Sequence, residues 1–257
     1  RPPALSIAVA EAIAGELDPE TRFMANVTQM LADQDDEITR REEWMCAQII
    51  QGGQVVVAGE DYPEVVVDFD RDNDLTTALT LTDRWGETDV KPLRSIRAWS
   101  TLVATKSGGT PKTVVMGAEA AEIFLEDEDV RAVLDNRRQA TGSMELAPTI
   151  TGGEGMVAAY LGSGGMHDYW QYTQKYELEN GDIGDLFPSF GVAVIAPDVF
   201  AGAMTHGAIR DNTALRALPR FPKMWDQEDP SVTFLMTQSA PLPVPREVNA
   251  SFFATVR

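Results

Sequence analysis

The sequence has few of the residues on which metal, redox and disulfide chemistry depend. Its 257 residues include one cysteine, Cys46, and two histidines, His167 and His206. A single cysteine excludes an internal disulfide framework and any cysteine-rich metal site. Cys46 lies in a pattern typical of a helix, where a free thiol usually packs as a small hydrophobic group. No run of about 18 apolar residues occurs, so the sequence predicts no membrane-spanning helix.

The two histidines do not have the spacing of a metal site. A zinc site needs three or four converging ligands, whereas His167 and His206 lie in different segments and no HxxxH-type spacing occurs. We therefore expect both to be ordinary loop histidines and predict no metal-binding residue.

Sequence motifs for catalysis and cofactor binding are absent or out of context. Ser163 lies among glycines in LGSGG, which is not the G-x-S-x-G turn of a nucleophilic serine. The segment GGEGMVA, residues 152–158, contains G-x-G-x-x-A, but this dinucleotide motif must follow a strand and open a helix. Here it leads into a β-like stretch. We therefore predict no catalytic and no cofactor-binding residue.

Charged clusters have simple interpretations as surface groups. The carboxylates within 33–37 and 126–129 fall on predicted helix surfaces, where they are expected to be solvated rather than paired as in a glycosidase. Arg137 and Arg138 lie at a predicted helix end, where positive charge is favourable.

The acidic balance of the whole chain restricts its partners. There are 40 acidic and 21 basic residues, giving a formal net charge of −19. Such a protein repels nucleic acid at long range. This counts against a DNA-binding module, but it suits a protein that lies beside DNA without binding it tightly.

A single long helix dominates the N-terminal part. Asp18 and Pro19 form a strong helix start, and Gly52 and Gly53 end the pattern. Apolar residues recur every seven positions and predict one buried stripe on a sheet, at Met24, Leu31, Ile38 and Met45.

The remaining pattern mixes strands and helices. The predicted elements are a short helix at 4–17, a hairpin from runs 54–58 and 64–69, a helix at 90–105, a buried strand at 112–117, two helices within 118–139, glycine-broken strands within 144–200 and mostly loop at 201–228.

The C-terminal segment combines a proline-rich lead-in with a strand pattern. Pro241, Pro243 and Pro245 alternate with apolar residues, so they remove backbone donors from one edge only. Residues 248–256 then alternate apolar and polar, which predicts a half-buried strand. We expect the prolines to keep one edge of this terminal strand unpaired while its other edge closes a sheet.

Four segments of the chain are specific enough to compare with known families. They are DEITRREEWMCAQIIQGGQVVVAGED, RWGETDVKPLRSIRAW with the following SGGTPKTVVMGAEAAEIF, YWQYTQKYELENGDIGDLFP, and RFPKMWDQEDPSVTFLMTQSAPLPVP. In collinear order and over nearly the whole chain, they resemble the phage major capsid protein E family, the lambda-type shell proteins of tailed phages.

The resemblance implies an α+β fold, the Hong Kong 97-like capsid fold. It implies a peripheral domain over 1–88, with a spine helix at 19–52 and a hairpin at 54–69. An axial domain would follow over 89–225, and strands within 226–257 would return to the peripheral domain. The N-terminal arm and extended loop of the family would precede residue 4 and are expected to be missing.

The function implied is structural rather than enzymatic. The family builds icosahedral heads from pentamers and hexamers, enclosing double-stranded DNA without sequence-specific binding. The expected partners are other copies of the chain, with scaffold, portal and decoration proteins, and no membrane or cofactor. The expected location is the virion capsid, assembled in the host cytoplasm. Two alternatives stay open: an encapsulin-like compartment shell, and an α/β hydrolase-type enzyme using Ser163 or an acidic pair.

Overall fold

The computed structural model describes residues 4–5, 19–59, 62–141, 150–151, 158–177, 181, 183–212, 214–229 and 231–257. The chain forms two compact units. The first comprises Arg1–Glu43 and Met204–Val244, and the second comprises Trp44–Ala203 and Pro245–Arg257. Along the chain, the first boundary between the two units lies between Glu43 and Trp44, which is inside the long helix.

The described residues form five α-helices. In chain order they are α1 Pro19–Gly52, α2 Pro92–Ser107, α3 Ala118–Glu126, α4 Glu128–Thr141 and α5 Pro197–Phe200. Helix α2 shows how local residues set the bounds. Pro92 occupies the first turn, where its missing N–H is not needed. Gly108 adopts the left-handed conformation and donates its N–H to the carbonyl of Ala104, which ends the helix.

The described strands are mostly short. In chain order they are β1 Ala4–Leu5, β2 Gln54–Gly59, β3 Tyr62–Asp68, β4 Thr76–Ala78, β5 Thr113–Met116, β6 Ile150–Thr151, β7 Ala158–Gly164, β8 His167–Tyr172, β9 Lys175–Glu177, β10 Ile183–Asp185, β11 Gly191–Ile195, β12 Ala203–His206, β13 Phe221–Gln227, β14 Val232–Gln238, β15 Pro241–Val244 and β16 Ser251–Thr255.

The second unit is organised around a seven-stranded mixed sheet. Its strand order is β4-β16-β11-β5-β8-β7-β6. The β16–β4 and β5–β8 pairs are parallel, and the others are antiparallel. The short hairpins β2–β3 and β9–β10 form separate two-stranded sheets.

Both faces of the central strands are buried. Val192 and Val194 of β11 belong to the main core, whereas Ala193 and Ile195 belong to a second cluster. A strand covered on both sides needs apolar residues at successive positions rather than at alternate ones. This explains the continuous run GVAVI in β11.

The main core contains a group of aromatic rings packed with helices α2 and α3. Trp85 stacks on Trp99 with ring centroids 5.9 Å apart, and Trp99 stacks on Phe252 at 5.0 Å. Phe124 packs on Tyr169 at 4.8 Å. Large rings of this kind contribute much of a core's buried apolar surface, so this cluster holds α2 and α3 on one face of the sheet.

The first unit contains a smaller sheet beside the N-terminal part of α1. Strands β1, β14 and β13 pair in that order, and β12 pairs with β15. Trp225 and Phe234 stand opposite each other across β13 and β14, with stacked rings 5.3 Å apart. The Gln34 side chain of α1 donates to the Leu235 carbonyl at 3.3 Å, which links the helix to β14.

Several elements predicted from sequence are confirmed. They are the long helix, the hairpin after it, the helix at 92–107, the strand at 113–116, the two helices of 118–141 and the short strands between 158 and 195. Four predictions of local structure are wrong in part. Ala4–Leu5 is a strand rather than the start of a helix, because it pairs with Thr233 and Phe234. Residues 6–18 lie outside the described residues. Strands β12 and β13 lie within 201–228, which was predicted to be mostly loop.

The prediction that the prolines leave one edge of the terminal strand unpaired is also wrong. Strand β16 is not an edge strand, because β11 pairs with one side of it and β4 with the other. Its residues 251–254 are all buried, and 248–250 form a 3-10 turn. The proline segment is the separate strand β15, whose partner among the described residues is β12. The prolines therefore do not protect the terminal strand.

The stripe on α1 is buried only toward its C-terminal end. Met45 is 3% exposed, Leu31 and Ile38 are half-buried, and Met24 is 55% exposed. The prediction of one continuous buried stripe is therefore wrong at Met24. Periodicity shows which side chains share a helix face, but it does not show where another element covers that face.

Candidate functional site

The C-terminal end of α1 is held by the buried side chain of Arg71. Its Nη1 donates to the Ile50 carbonyl at 2.6 Å, and its Nη2 donates to the Gln51 carbonyl at 2.5 Å. Nη2 also reaches the Thr76 hydroxyl at 2.6 Å, and Nη1 lies 3.4 Å from the Ser251 hydroxyl. One guanidinium therefore joins the last turn of the helix to β4 and β16.

This arrangement places a positive charge where a helix has negative partial charge. The four acceptors are two helix carbonyls and two hydroxyls, and Arg71 is only 8% exposed. Burial lowers the pKa of Arg71 to about 10, which still leaves it charged at neutral pH. The side chain acts as a buried cap for the long helix.

Gly53 makes this cap possible. Its φ of +70° ends the helix in a left-handed turn, and its N–H donates to the Ile49 carbonyl at 2.8 Å. A Cβ at this position would lie 2.5 Å from the Cβ of Arg71. The glycine therefore provides both the turn and the space for Arg71.

In the first unit, Arg220 binds the exposed side of α1. Its Nη1 donates to Oε1 of Glu42 at 2.6 Å, its Nε to Oδ1 of Asp35 at 2.5 Å, and its Nη2 to the Thr39 hydroxyl at 3.2 Å. Successive members of this set lie four and three positions apart along α1, so the three residues line one face. The hydrogen bonds with Glu42 and then Asp35 raise the pKa of Arg220.

We expect Arg220→Ala to destabilise the chain by about 1 kcal/mol. The sequence alone predicts that charge reversal at Asp35 or Glu42 leaves folding nearly intact, and that it disturbs assembly if these carboxylates pair with arginines of a neighbouring subunit. They instead pair with an arginine of the same chain. Chemical denaturation checks the value, with exposed Arg94→Ala as the matched control. Equal stability of the two variants would contradict the prediction.

His206 lies beside the same cluster. Its Nε2 is 3.9 Å from Oε1 of Glu42, and the side chain is 17% exposed. It ends strand β12. His206 is thus part of the packing beside α1 and does not stand in an open loop.

His167 also departs from the predicted loop histidine. It begins β8, is 7% exposed and lies with Nε2 2.8 Å from the hydroxyl of Ser100 on α2. The Ser100 hydroxyl donates to the Ile96 carbonyl at 2.7 Å, so its oxygen accepts the Nε2 proton. This gives Nε2 of the buried ring a partner and does not activate the serine as a nucleophile.

Because His167 is buried, we expect the free energy of unfolding to depend on pH. Burial, and then the charge of Arg97, lower the pKa of His167 below its ordinary 6.5. Between that lowered pKa and 6.5 the unfolded chain binds more protons, so the free energy of unfolding falls as the pH falls through 6.5. Urea unfolding between pH 7.5 and 5.5 measures this slope, which should be smaller in His167→Gln. An unchanged slope in that variant would contradict the prediction.

Among the described residues, none forms a hydrogen-bonded catalytic group with Ser163. This residue lies in β7 and stands opposite Asp168 across the hairpin, whereas the His167 ring bonds to Ser100. Residues 152–157 of the glycine motif lie outside the described residues. Sequence reasoning missed Arg71 and Arg220 as the residues that hold the helix, because their partners are distant in sequence or belong to the backbone.

The described ranges hold neither a metal-binding cluster nor a membrane-spanning helix. No group of three or more His, Cys, Asp or Glu residues could hold a metal ion there. No helix among those ranges is both long and apolar enough to span a membrane. The acidic positions 33, 35, 36 and 37 of α1 are exposed.

Two curated relatives are similar to most of the chain. They are the P21 prophage-derived major head protein of Escherichia coli O6:H1 and the major capsid protein of Enterobacteria phage P21. Each is 26% identical over 235 residues, which is 88% of this chain. The match spans 66% of the length of each relative.

A solved structure shows the same fold. The crystal structure of a protein assigned as the capsid protein of a prophage of Escherichia coli CFT073 matches with a TM-score of 0.79 at 20% identity. The match covers 95% of this chain and 72% of that chain. This confirms the predicted α+β capsid fold.

The family comparison covers nearly all of the sequence. Residues 6–256 match the family model described as phage major capsid protein E. The resemblance seen in the four sequence segments is thereby confirmed. The chain therefore belongs to the phage major capsid protein E family.

Proposed function

We propose that this chain is the shell-forming part of a tailed-phage major capsid protein. The observation that carries the proposal is the family match over residues 6–256. The capsid fold supports it independently. In this proposal, copies associate as pentamers and hexamers of an icosahedral head that encloses double-stranded DNA.

The charge of the chain suits this role. A shell that surrounds DNA must not hold it so tightly that packaging or release is blocked. The formal net charge of −19 disfavours contact with the phosphate backbone. Scaffold, portal and decoration proteins are proposed partners, with assembly in the host cytoplasm and final location in the virion.

The proposed domains follow the family fold. A peripheral domain would comprise 1–88, with α1 as the spine helix, and an axial domain would comprise 89–225. Residues 226–257 would return to the peripheral domain. Strand β16 lies between β4 and β11, so one sheet includes strands from all three ranges.

The proposed role is structural and needs no active site. The hydrolase alternative gains no support at Ser163, whose facing residue is Asp168. The encapsulin-like alternative shares the fold but not the family match that carries the proposal. A shell subunit instead needs firmly held elements, and the buried Arg71 cap on α1 is one such element.

Expression of the full-length gene product with its phage assembly partners tests the proposal. Electron microscopy should show closed shells, and purified particles should contain this protein as the main component. Ser163→Ala should give the same yield of shells. Persistently monomeric protein under these conditions would overturn the proposal, and turnover of a hydrolase substrate lost in Ser163→Ala would favour the enzyme.

A further inference from the structure

The turn between β7 and β8 contacts helix α2 through the side chain of His167. The ring is 7% exposed, and its Nε2 lies 2.8 Å from the Ser100 hydroxyl. Beside it, Gly165 adopts the left-handed region with φ of +66°, and Met166 is 71% exposed. A buried side chain at the first position of β8 therefore joins an exposed turn to the helix.

The facing helix carries a positive charge near this ring. Arg97 lies three positions before Ser100 on α2, so the two side chains share a helix face. Asp168 follows His167 in β8, and because successive strand residues point to opposite faces, its carboxylate lies on the other face of the sheet. Burial first, and then the Arg97 guanidinium, disfavour a proton on His167, whereas the weaker effect of the Asp168 carboxylate favours it.

The tyrosines beside this ring form their hydrogen bonds elsewhere. The hydroxyl of Tyr160 in β7 donates to Oδ1 of Asp168 at 3.3 Å. The ring of Tyr169 lies 6.2 Å from that of His167 by their centroids, and its hydroxyl donates to the Gly164 carbonyl at 3.5 Å. Burial raises the pKa of the Tyr169 phenol, so it stays uncharged through the range in which histidine titrates.

The elements that pack around the hairpin supply no carboxylate partner for His167 among the described residues. Helix α4 approaches β7 through the apolar side chains of Val133 and Leu134. Just before β5, Lys112 binds Oδ2 of Asp198 at 2.5 Å. A proton on His167 therefore faces the positive charge of Arg97 without a hydrogen-bonded carboxylate from this part of the chain.

A second proton on the ring has a defined position. Because Nε2 donates to Ser100, the proton is added at Nδ1, which has no acceptor among the described residues. A charged imidazole is stabilised by hydration and destabilised by a neighbouring cation. Movement of the turn away from α2 exposes the ring to water and increases its distance from Arg97, so protonation favours an open turn.

We propose that His167 forms an acid-sensitive latch, which holds the β7–β8 turn against α2. At neutral pH the ring is uncharged and the turn is closed. Below the ordinary histidine pKa of 6.5, the open form binds a proton more readily than the closed form, so the open population rises. This opening is local, whereas the pH dependence of the free energy of unfolding concerns the whole chain. The latch uses contacts within a single copy, so it does not depend on assembly into a shell.

Hydrogen exchange of single amides tests the latch, with Asp168 as the reporter. Its N–H donates to the Lys112 carbonyl at 2.7 Å beside the latch, whereas the N–H of Trp85 donates to the Val256 carbonyl at 3.0 Å in the main core. The opening constant of Asp168 should exceed that of Trp85 by about tenfold or more, because local opening requires less free energy than global unfolding. As the pH falls below 6.5, it should rise by roughly threefold to tenfold per pH unit, as the binding of one proton allows. Equal opening constants for the two amides, or a pH-independent constant for Asp168, would overturn the proposal.

Three variants identify the group that responds to pH. Glutamine can still donate to Ser100 but does not titrate, so His167→Gln should abolish the pH response of the Asp168 amide. Ser100→Ala removes the acceptor of the latch and should raise the opening constant of Asp168 at pH 7.5 by about fivefold. His206→Gln is the matched control in the other unit and should keep the wild-type response. An unchanged pH response in His167→Gln, or a wild-type opening constant in Ser100→Ala, would show that His167 is not the latch; if His167→Gln does not fold, Ser100→Ala and the two wild-type amides decide.

Discussion

Replacing Arg71 by alanine is expected to destabilise the second unit by about 3–5 kcal/mol. The change removes the donors to the Ile50 and Gln51 carbonyls at the end of α1 and leaves these part-buried acceptors unsatisfied. It also leaves a cavity beside Thr76 and Ser251. Urea unfolding of the purified chain measures the loss.

Two further variants show which property of Arg71 matters. Arg71→Lys keeps the charge but provides a single ammonium group, which cannot reproduce the fork of donors. We expect it to recover less than half of the lost stability. Arg94→Ala, at an exposed arginine of α2, should change stability by no more than about 0.5 kcal/mol. A fully stable Arg71→Lys would show that charge alone is sufficient.

Gly117→Ala is expected to destabilise the chain by about 3 kcal/mol, at the upper end for an inserted methyl group. Gly117 joins β5 to α3, and an added Cβ would lie 2.1 Å from the Pro188 carbonyl oxygen and 2.5 Å from that of Ser189. These are backbone atoms that cannot rotate away. The N–H of Gly117 also donates to the Gly191 carbonyl at 2.9 Å, so the two segments would be forced apart.

Gly52→Ala is the matched control for this prediction. Gly52 is the last residue of α1, and its added Cβ would meet Cγ of Gln54 at 3.5 Å, an ordinary contact. Alanine is the better helix former, so Gly52→Ala should be neutral or stabilise by up to about 1 kcal/mol. Thermal unfolding of both variants measures the two changes in stability. A Gly117→Ala protein as stable as Gly52→Ala would show that the 188–191 segment moves freely.

The glycine and the arginines of the candidate site differ in how well the sequence predicts their roles. Gly53 is marked by its position after an apolar helical pattern, so the helix end was predictable. Arg71 carries no such mark, because its acceptors include a hydroxyl 180 residues away and backbone carbonyls that have no side-chain signature. Arg220 likewise reaches Asp35 over 185 residues. Neither contact has a spacing that a local pattern could reveal.

The sequence by itself determined the local elements and, through its resemblance to a known family, the fold. Helix α1, the β2–β3 hairpin and strand β11 follow from short-range apolar patterns and from glycine and proline at their ends. Tertiary structure alone decided which surfaces are covered. It placed β16 between β4 and β11, exposed Met24 and buried His167. The physical reason is that hydrophobic patterns specify a face within one element, whereas the partner of that face depends on how distant segments pair and pack.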